Sequence, residues 1–270
     1  MKIWKNTATL DGLIDDLEHT DSKADAEVAL LGSKPINLEE LPLLKGMFRA
    51  GISSDSIPIQ EAHRRGIKIG FPSNQTVEYI FEETANFACY LIIRMMYSKV
   101  GSLNPWVKFS RDILQNKELL VVGIGNIGRR VVDRMKPFMR VNTFDIQYNS
   151  MAQFKGLVSS ADCVTLHIPK TSESINFFDQ EVLSWMKDGS ILVNTARGQI
   201  VSEEALFKEI SSNRIGAAFD VFWKEPYEGK LKQFHPERFF MTPHISSTSI
   251  VFLESAAIDF KKFIKDLENG

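Results

Sequence analysis

Cysteine is scarce in this sequence: Cys89 and Cys163 are the only two among 270 residues, and they stand far apart, outside any metal-ligand spacing. This excludes a disulfide framework and a thiolate zinc site, and no metal is expected; two free thiols suit a reducing compartment. Long apolar runs are missing as well. No stretch approaches the roughly 18 residues of a membrane span, and the opening MKIWKNTATL lacks the apolar core of a secretory signal. A cytoplasmic location with no membrane partner is therefore expected. An excess of one charge is also lacking: 32 Lys and Arg against 34 Asp and Glu leave a net charge of −2, which gives no basic footprint for DNA or RNA. No internal repeat or low-complexity tract interrupts the chain, whose length suits two domains of ordinary size.

What is present is alternation. AEVALLG, MFRAGI and IKIGF read as strands, LEELPLLKG and SIPIQEAHRRG as helices between them, and that rhythm predicts βαβ units with a parallel sheet. Val77, Ile80, Phe81, Thr84, Ala88, Leu91, Ile92 and Met95 then recur at helical spacing, predicting one long helix with a buried stripe. VGSLNPW breaks the pattern near residues 99–106 and reads as a linker. A second alternation follows through ELLVVGIGNIG, VNTFDI, CVTLHIP, SILVNTA, GAAFDVF and FFMTPHI. A last helix over roughly 248–267 carries Val251, Phe252, Ala256 and Phe260 as apolar positions that need covering.

In ELLVVGIGNIGRRVVDRM a strand runs into Gly123, Gly125 and Gly128 and then into a helix. The first glycine permits a tight turn, the second lets backbone approach a pyrophosphate, the third lets helix pack on strand, and the helix N-terminus offers N–H groups to phosphate. Taken alone, the pattern also fits a purely steric strand-to-helix turn. Asp145, ending VNTFDI, strengthens the dinucleotide reading, because an acid about 20 residues past the motif accepts from ribose hydroxyls. It repels a 2′-phosphate and no arginine follows it in DIQYN, so NAD is favoured over NADP.

The other chemically sharp residues fall at predicted C-terminal strand ends, the edge where open α/β sheets bind ligands. Arg197 follows ILVNTA, Asp220 ends GAAFD, Glu225 lies shortly beyond, and His244 follows FFMTP. Each has an ordinary alternative: a helix cap for Arg197, a solvated loop acid for Glu225, a satisfied near-core imidazole for His244. Together they make a usable set. Hydride addition to a 2-oxo acid puts negative charge on the carbonyl oxygen and calls for a proton donor, which histidine supplies near neutral pH. A carboxylate beside it favours the imidazolium and fixes its tautomer, the task expected of Glu225. The planar fork of Arg197 can grip a carboxylate as lysine cannot. His167, in VTLHIP, either borders the cofactor or is structural. His19 and His63 read as surface residues, and His235 as a loop residue with no apparent partner; Phe177, Phe178, Phe207 and Phe219 read as core.

In this order, VVGIGNIG, VTLHIPKTSES, MKDGSILVNTARGQIVSEEAL, RIGAAFDVFWKEP and TPHIS closely resemble the NAD-dependent D-2-hydroxyacid dehydrogenases, the group that includes D-lactate, D-glycerate and D-3-phosphoglycerate dehydrogenases. RAGISSDSI is similar to the family's substrate loop and IFEET to its helix start, so the resemblance spans roughly residues 43 to 260. It implies an α/β fold of two Rossmann-like domains with parallel sheets and an active site in the cleft between them. Residues 1–98 would form the substrate-binding domain, completed by the C-terminal helix at 248–270, and 99–247 the NAD-binding domain. Arg197, Glu225 and His244 would be catalytic, with Arg197 also binding substrate beside the backbone of Ala50, Gly51 and Ile52. Gly123, Gly125, Asn126, Ile127, Gly128, Asp145, His167, Ile168, Pro169, Thr195, Ala196, Asp220 and Ser246 would meet the cofactor. The expected substrate is a small 2-hydroxy or 2-oxo acid of the glyoxylate, hydroxypyruvate, pyruvate or phosphoglycerate class, and the expected assembly a homodimer. A different class with the same fold is the NAD(H)-sensing corepressor, whose relatives carry extra segments for peptide partners. Formate oxidation is disfavoured by Glu225, where related enzymes have glutamine. The chain departs from the family in being short before LPLLKG, in Ser53 and Ser54 of the substrate loop, and in Tyr79, Ile80 and Phe81 at the helix start. These changes bear on substrate identity more than on reaction type.

Overall fold

A computed structural model describes residues 1–269. The chain forms two compact units, one made of Met1–Ile80 with the residues from Thr248 on, the other of Phe81–Ser247.

The first unit holds a four-stranded parallel sheet in chain order: β1 (Ile3–Lys5), β2 (Val28–Leu31), β3 (Gly46–Arg49) and β4 (Lys68–Gly70). β1 is an addition to the three strands legible in the sequence; it is a three-residue strand with no room for a repeat to show. β2 is buried at all four positions, as parallel strands covered on both faces are. The period of two sends Val28, Leu30 and Phe48 to one core and Ala29, Leu31 and Met47 to the other. LEELPLLKG does not form the expected helix. Only a 3-10 turn, Leu38–Glu40, forms there, with the Asn37 side chain accepting from the Glu39 N–H; Pro42 disfavours α geometry at Leu41, whose φ is −127°. The helix α1 (Ile59–Arg64) precedes β4.

The long helix α2 (Asn74–Met96) carries the chain from the first unit to the second. Ile80, Thr84, Ala88, Leu91, Ile92 and Met95 are buried along it as their spacing predicts, whereas Val77 and Phe81 are half-buried. The segment expected as a linker is an antiparallel hairpin, β5 (Gly101–Leu103) and β6 (Trp106–Lys108).

Six parallel strands follow: β7 (Glu118–Val122), β8 (Arg140–Phe144), β9 (Cys163–Leu166), β10 (Ile191–Asn194), β11 (Gly216–Phe219) and β12 (Phe239–Met241), in the order β12-β11-β10-β9-β7-β8. Between them run α3 (Asn126–Met135), α4 (Met151–Ser160), α5 (Gln180–Trp185) and α6 (Glu203–Ser211). The direction of the winding reverses between β7 and β9, which is the position where such sheets open a crevice for ligands. Register makes that edge level: Val122 pairs with Phe144 and with Leu166, Leu166 with Asn194, Asn194 with Phe219, and Phe219 with Met241. Phe178 and Phe219 are fully buried, and Phe177 and Phe207 pack against the same core. Both cysteines are buried, and desolvation pushes the Cys89 thiol up to about 11 and that of Cys163 higher still, so neither is a ready nucleophile.

The last helix, α7 (Ile250–Glu268), is capped by the Ser249 side chain and buries Phe252, Ala256, Phe260 and Ile264 in the first unit's core. Val251, expected on that stripe, is 51 % exposed; the apolar face is set by residues four apart from Phe252. Among the described residues no helix is long and apolar enough to cross a membrane.

Candidate active site

The glycine loop after β7 shows three different requirements. Gly123 has φ +92°, and a Cβ there would lie 2.7 Å from the His167 carbonyl oxygen and from the Ile168 side chain. A Cβ at Gly128 would lie 1.9 Å from the Gly123 carbonyl oxygen. Gly125 faces nothing within 4 Å. Two glycines are thus demanded by the protein itself, while the third keeps open a space the protein does not fill, at the N-terminus of α3, where no side chain caps the helix. Asn126 and Ile127 form the first turn there. Asp145 accepts from the Ile124 N–H at 3.2 Å and from the Gln147 N–H at 3.0 Å, which ties the end of β8 to the glycine loop. Beside it, His167 Nε2 lies 3.0 Å from the Thr165 hydroxyl, and burial pushes the imidazole down to about 3, so it stays neutral. His167 and Ile168 therefore wall the glycine loop; Pro169 follows, its carbonyl accepting from the Ser174 hydroxyl.

The next three strand ends are stitched by polar side chains. At the end of β10 the buried Asn194 accepts from the Ala196 N–H and donates to the Arg197 carbonyl, both at 2.9 Å, fixing the turn that carries Arg197. The Arg197 guanidinium donates to the Ala196 carbonyl at 2.6 Å. Thr195 is buried, and its hydroxyl is a buried polar side-chain atom with no hydrogen-bond partner in the protein. Burying a hydroxyl unpaired is costly, so this atom and the open space at Gly125 both fit a bound group with polar atoms of its own.

At the end of β11, Asp220 is fully buried and acts as the anchor of the loop after β12. Its Oδ1 accepts from the Thr242 hydroxyl at 2.6 Å and the Ile245 N–H at 3.0 Å, and its Oδ2 accepts from the Ser246 N–H at 2.9 Å. That loop holds His244 in the left-handed region, φ 55°. His244 Nδ1 meets Glu225 Oε2 at 2.8 Å, and Glu225 Oε1 accepts from the Phe222 N–H at 3.0 Å. Burial would raise the Glu225 carboxyl, but the hydrogen bond and charge of His244, the Phe222 N–H and the Arg197 charge together hold it below the usual 4.5. With Nδ1 committed to a carboxylate acceptor, Nε2 is the ring nitrogen left for another reactant.

The second unit therefore brings Arg197, Glu225 and His244 to one sheet edge, with Asp220 and Ser246 in the scaffold beneath His244. Asn194, Thr242 and Trp223 are part of that scaffold and were not singled out from sequence; a polar Asn ending the apolar run ILVN was the one available signal. His235, expected without a partner, accepts from the Met241 N–H at 3.2 Å and stacks on Phe240. In the first unit the Ala50 N–H donates to Leu31 and the Gly51 N–H to Arg49, leaving Ile52 as the member of that trio with no such backbone bond. Among the described residues no group of three or more His, Cys, Asp or Glu could hold a metal.

The model of the D-isomer specific 2-hydroxyacid dehydrogenase NAD-binding domain matches residues 96–246. A hydroxypyruvate reductase of Thermotoga maritima is 30% identical over 247 residues, 83% of this chain and 78% of that protein. A D-3-phosphoglycerate dehydrogenase of Synechocystis sp. is 32% identical over 248 residues, but the chain spans only 43% of its length. Among solved structures, a D-lactate dehydrogenase from Aquifex aeolicus, complexed with NAD and lactic acid, aligns with TM-score 0.80 at 23% identity, covering 100% of this chain and 96% of that one.

Proposed function

This chain belongs to the D-isomer specific 2-hydroxyacid dehydrogenase family, and from that premise we propose that it reduces a small 2-oxo acid through Arg197, Glu225 and His244. It is an NAD-dependent oxidoreductase acting on the CH–OH group. The observation that carries the assignment of residues is the 2.8 Å contact between His244 Nδ1 and a Glu225 carboxylate held ionised. The second unit takes the cofactor role: Gly125 and the first turn of α3, in a loop shaped by Gly123 and Gly128, would hold the pyrophosphate, Asp145 the adenosine ribose, and Thr195, Ala196 and the strand end at His167, Ile168 and Pro169 the remainder. Asp220 and Ser246 act there through the loop they fix. The bound dinucleotide supplies the hydride.

The chain's own groups do the rest. Arg197 binds the substrate carboxylate and stabilises charge on the carbonyl oxygen. His244 holds a proton on Nε2 and gives it to that oxygen, and takes it back in the reverse direction. Glu225 keeps the ring oriented through its bond to Nδ1. The first unit takes the substrate-binding role, with Ile52 as the member of Ala50, Gly51 and Ile52 whose N–H makes no backbone bond. Glyoxylate and hydroxypyruvate, named for some relatives as 3-phosphoglycerate is for others, are favoured here over a phosphorylated acid, because the Arg49 guanidinium is engaged with the carbonyls of Ser53 and Leu31.

We assign a homodimer from the second unit's hairpin and its flanks, where Leu103 (80 % exposed), Trp106 (77 %), Phe109 and Ile113 make an uncovered apolar stretch. The two buried free thiols suit the reducing cytoplasm.

The test is a panel of 2-oxo acids with and without a terminal phosphate, followed by loss of NADH absorbance. Turnover of glyoxylate or hydroxypyruvate is expected, and Arg197→Ala is expected to weaken substrate binding and turnover together while NADH still binds. Absence of turnover across the panel, or an Arg197→Ala enzyme as fast as the parent, overturns the proposal.

A further inference from the structure

Two segments that follow neighbouring strands, Gly198 to Val201 after β10 and Phe222 to Tyr227 after β11, are joined by contacts that the proposed chemistry does not itself use. A Cβ on Gly198 would lie 2.2 Å from the Phe222 carbonyl carbon and 2.5 Å from the Trp223 nitrogen, so the two backbones touch directly. Gln199 Nε2 donates to the Trp223 carbonyl at 2.9 Å, and Trp223 Nε1 donates back to the Val201 carbonyl at 2.6 Å. The indole stacks on Phe219 at 5.8 Å and leans on Tyr227 at 5.7 Å. Arg197 immediately precedes the first segment, and Glu225 lies in the second, between the exposed residues Lys224 and Pro226. Nothing regular holds that loop, because residues 222 to 229 lie in neither helix nor strand.

We infer that Trp223 is a positioning residue for the acid–imidazole pair: its indole N–H and the reciprocal Gln199 bond fix the Glu225 loop against the Arg197 turn. The inference rests on the roles proposed for Arg197, Glu225 and His244. Its physical basis is that Glu225 has one backbone donor of its own, from Phe222, so the direction of the carboxylate depends on where Phe222, the residue directly before Trp223, is held. A loop fixed at Trp223 keeps Oε2 on the imidazole; a loop free to shift lets the ring turn away, and misplacement of a catalytic group by a fraction of an ångström is costly.

Trp223→Phe keeps a ring on Phe219 and Tyr227 but removes the N–H donor. The expected result is a kcat lower by roughly tenfold, a changed pH profile of kcat and an unchanged KM for NADH. Gln199→Met removes the reciprocal donor and should act in the same direction with a smaller effect. The His244 ring titration, followed by NMR of histidine-labelled protein, is read on the same variants and does not need turnover. A displaced titration in both variants supports the positioning role even if the parent reduces none of the acids tried, which would count against the proposed reaction alone. A Trp223→Phe protein with the parent's titration, and with the parent's kcat and pH profile where there is turnover, overturns the inference even if its thermal stability falls. Should that variant not fold, Gln199→Met decides, and an unchanged titration there overturns it equally.

Discussion

After β7 the edge of the six-stranded sheet is made of backbone; after β10, β11 and β12 it is made of side chains. The first stretch works by what its residues lack. Gly123 and Gly128 leave room for neighbouring backbone, Gly125 leaves room for something outside the protein, and the N–H groups opening α3 need no side chain at all. The second stretch works by pairs: Asn194 with the Arg197 turn, Asp220 with the loop of His244, Glu225 with the imidazole. Damage to the first is therefore expected to appear as lost cofactor affinity or lost packing, and damage to the second as lost rate with cofactor binding preserved.

The largest effect expected on that contrast is from His244→Ala, which should cost on the order of 10²- to 10⁴-fold in rate while NADH binding, read by fluorescence titration, stays near the parent's. Comparable loss of both would erase the distinction between the two stretches. A sharper form compares two glycines. Gly128→Ala places a methyl 1.9 Å from a carbonyl oxygen and should destabilise the fold by about 1–3 kcal/mol or more, seen in denaturant melts. Gly125→Ala meets no protein atom and should melt like the parent while NADH affinity falls by roughly tenfold or more. If Gly125→Ala binds NADH normally, the open space there is not the cofactor's.

The acid at Asp145 gives a smaller effect. The parent should prefer NADH to NADPH, and Asp145→Asn, which keeps an acceptor for the Ile124 N–H but drops the charge facing a 2′-phosphate, should narrow that preference by roughly tenfold. Steady-state kinetics with both dinucleotides decide it; an unchanged ratio removes Asp145 from cofactor choice. A separate effect, on stability and not on rate or affinity, belongs to His167. Its folded value is lowered from 6.5 to about 3, so below pH 6.5 the unfolded chain binds a proton that the folded chain refuses. The stability contributed by its neutral form is complete above pH 6.5 and is lost as pH falls from there towards 3, with a slope of up to about 1.4 kcal/mol per pH unit. Denaturant midpoints of the parent and of His167→Gln, followed from pH 7 downward, should diverge in slope; parallel curves would contradict an imidazole held neutral.

The same contrast explains what could be read in advance. The alternation of short apolar runs announced a parallel α/β fold, because strands covered on both faces have no polar alternation to hide behind, and the glycine loop was legible because each requirement is local. The three residues of β1 and the failed helix before Pro42 were not, since one is too short to carry a period and the other depends on a single proline overriding helical spacing. At the side-chain edge, Arg197, Glu225 and His244 stood out by type and by place at strand ends. The Asp220 bonds to Thr242, Ile245 and Ser246, the Asn194 turn and the Trp223 contacts did not, because each joins residues from different strands and leaves no spacing to count.

What the sequence determined by itself was the alternation of strand and helix, the positions where a Cβ is forbidden, and which groups can ionise, since these follow from the covalent chemistry of each residue and its immediate neighbours. Only the tertiary structure decided that the Glu225 carboxylate reaches the Nδ1 face of His244, that Asp220 spends both oxygens on a neighbouring loop, and that the Thr195 hydroxyl is buried without a partner. Those outcomes depend on strand order and register, which bring together residues that the chain keeps far apart.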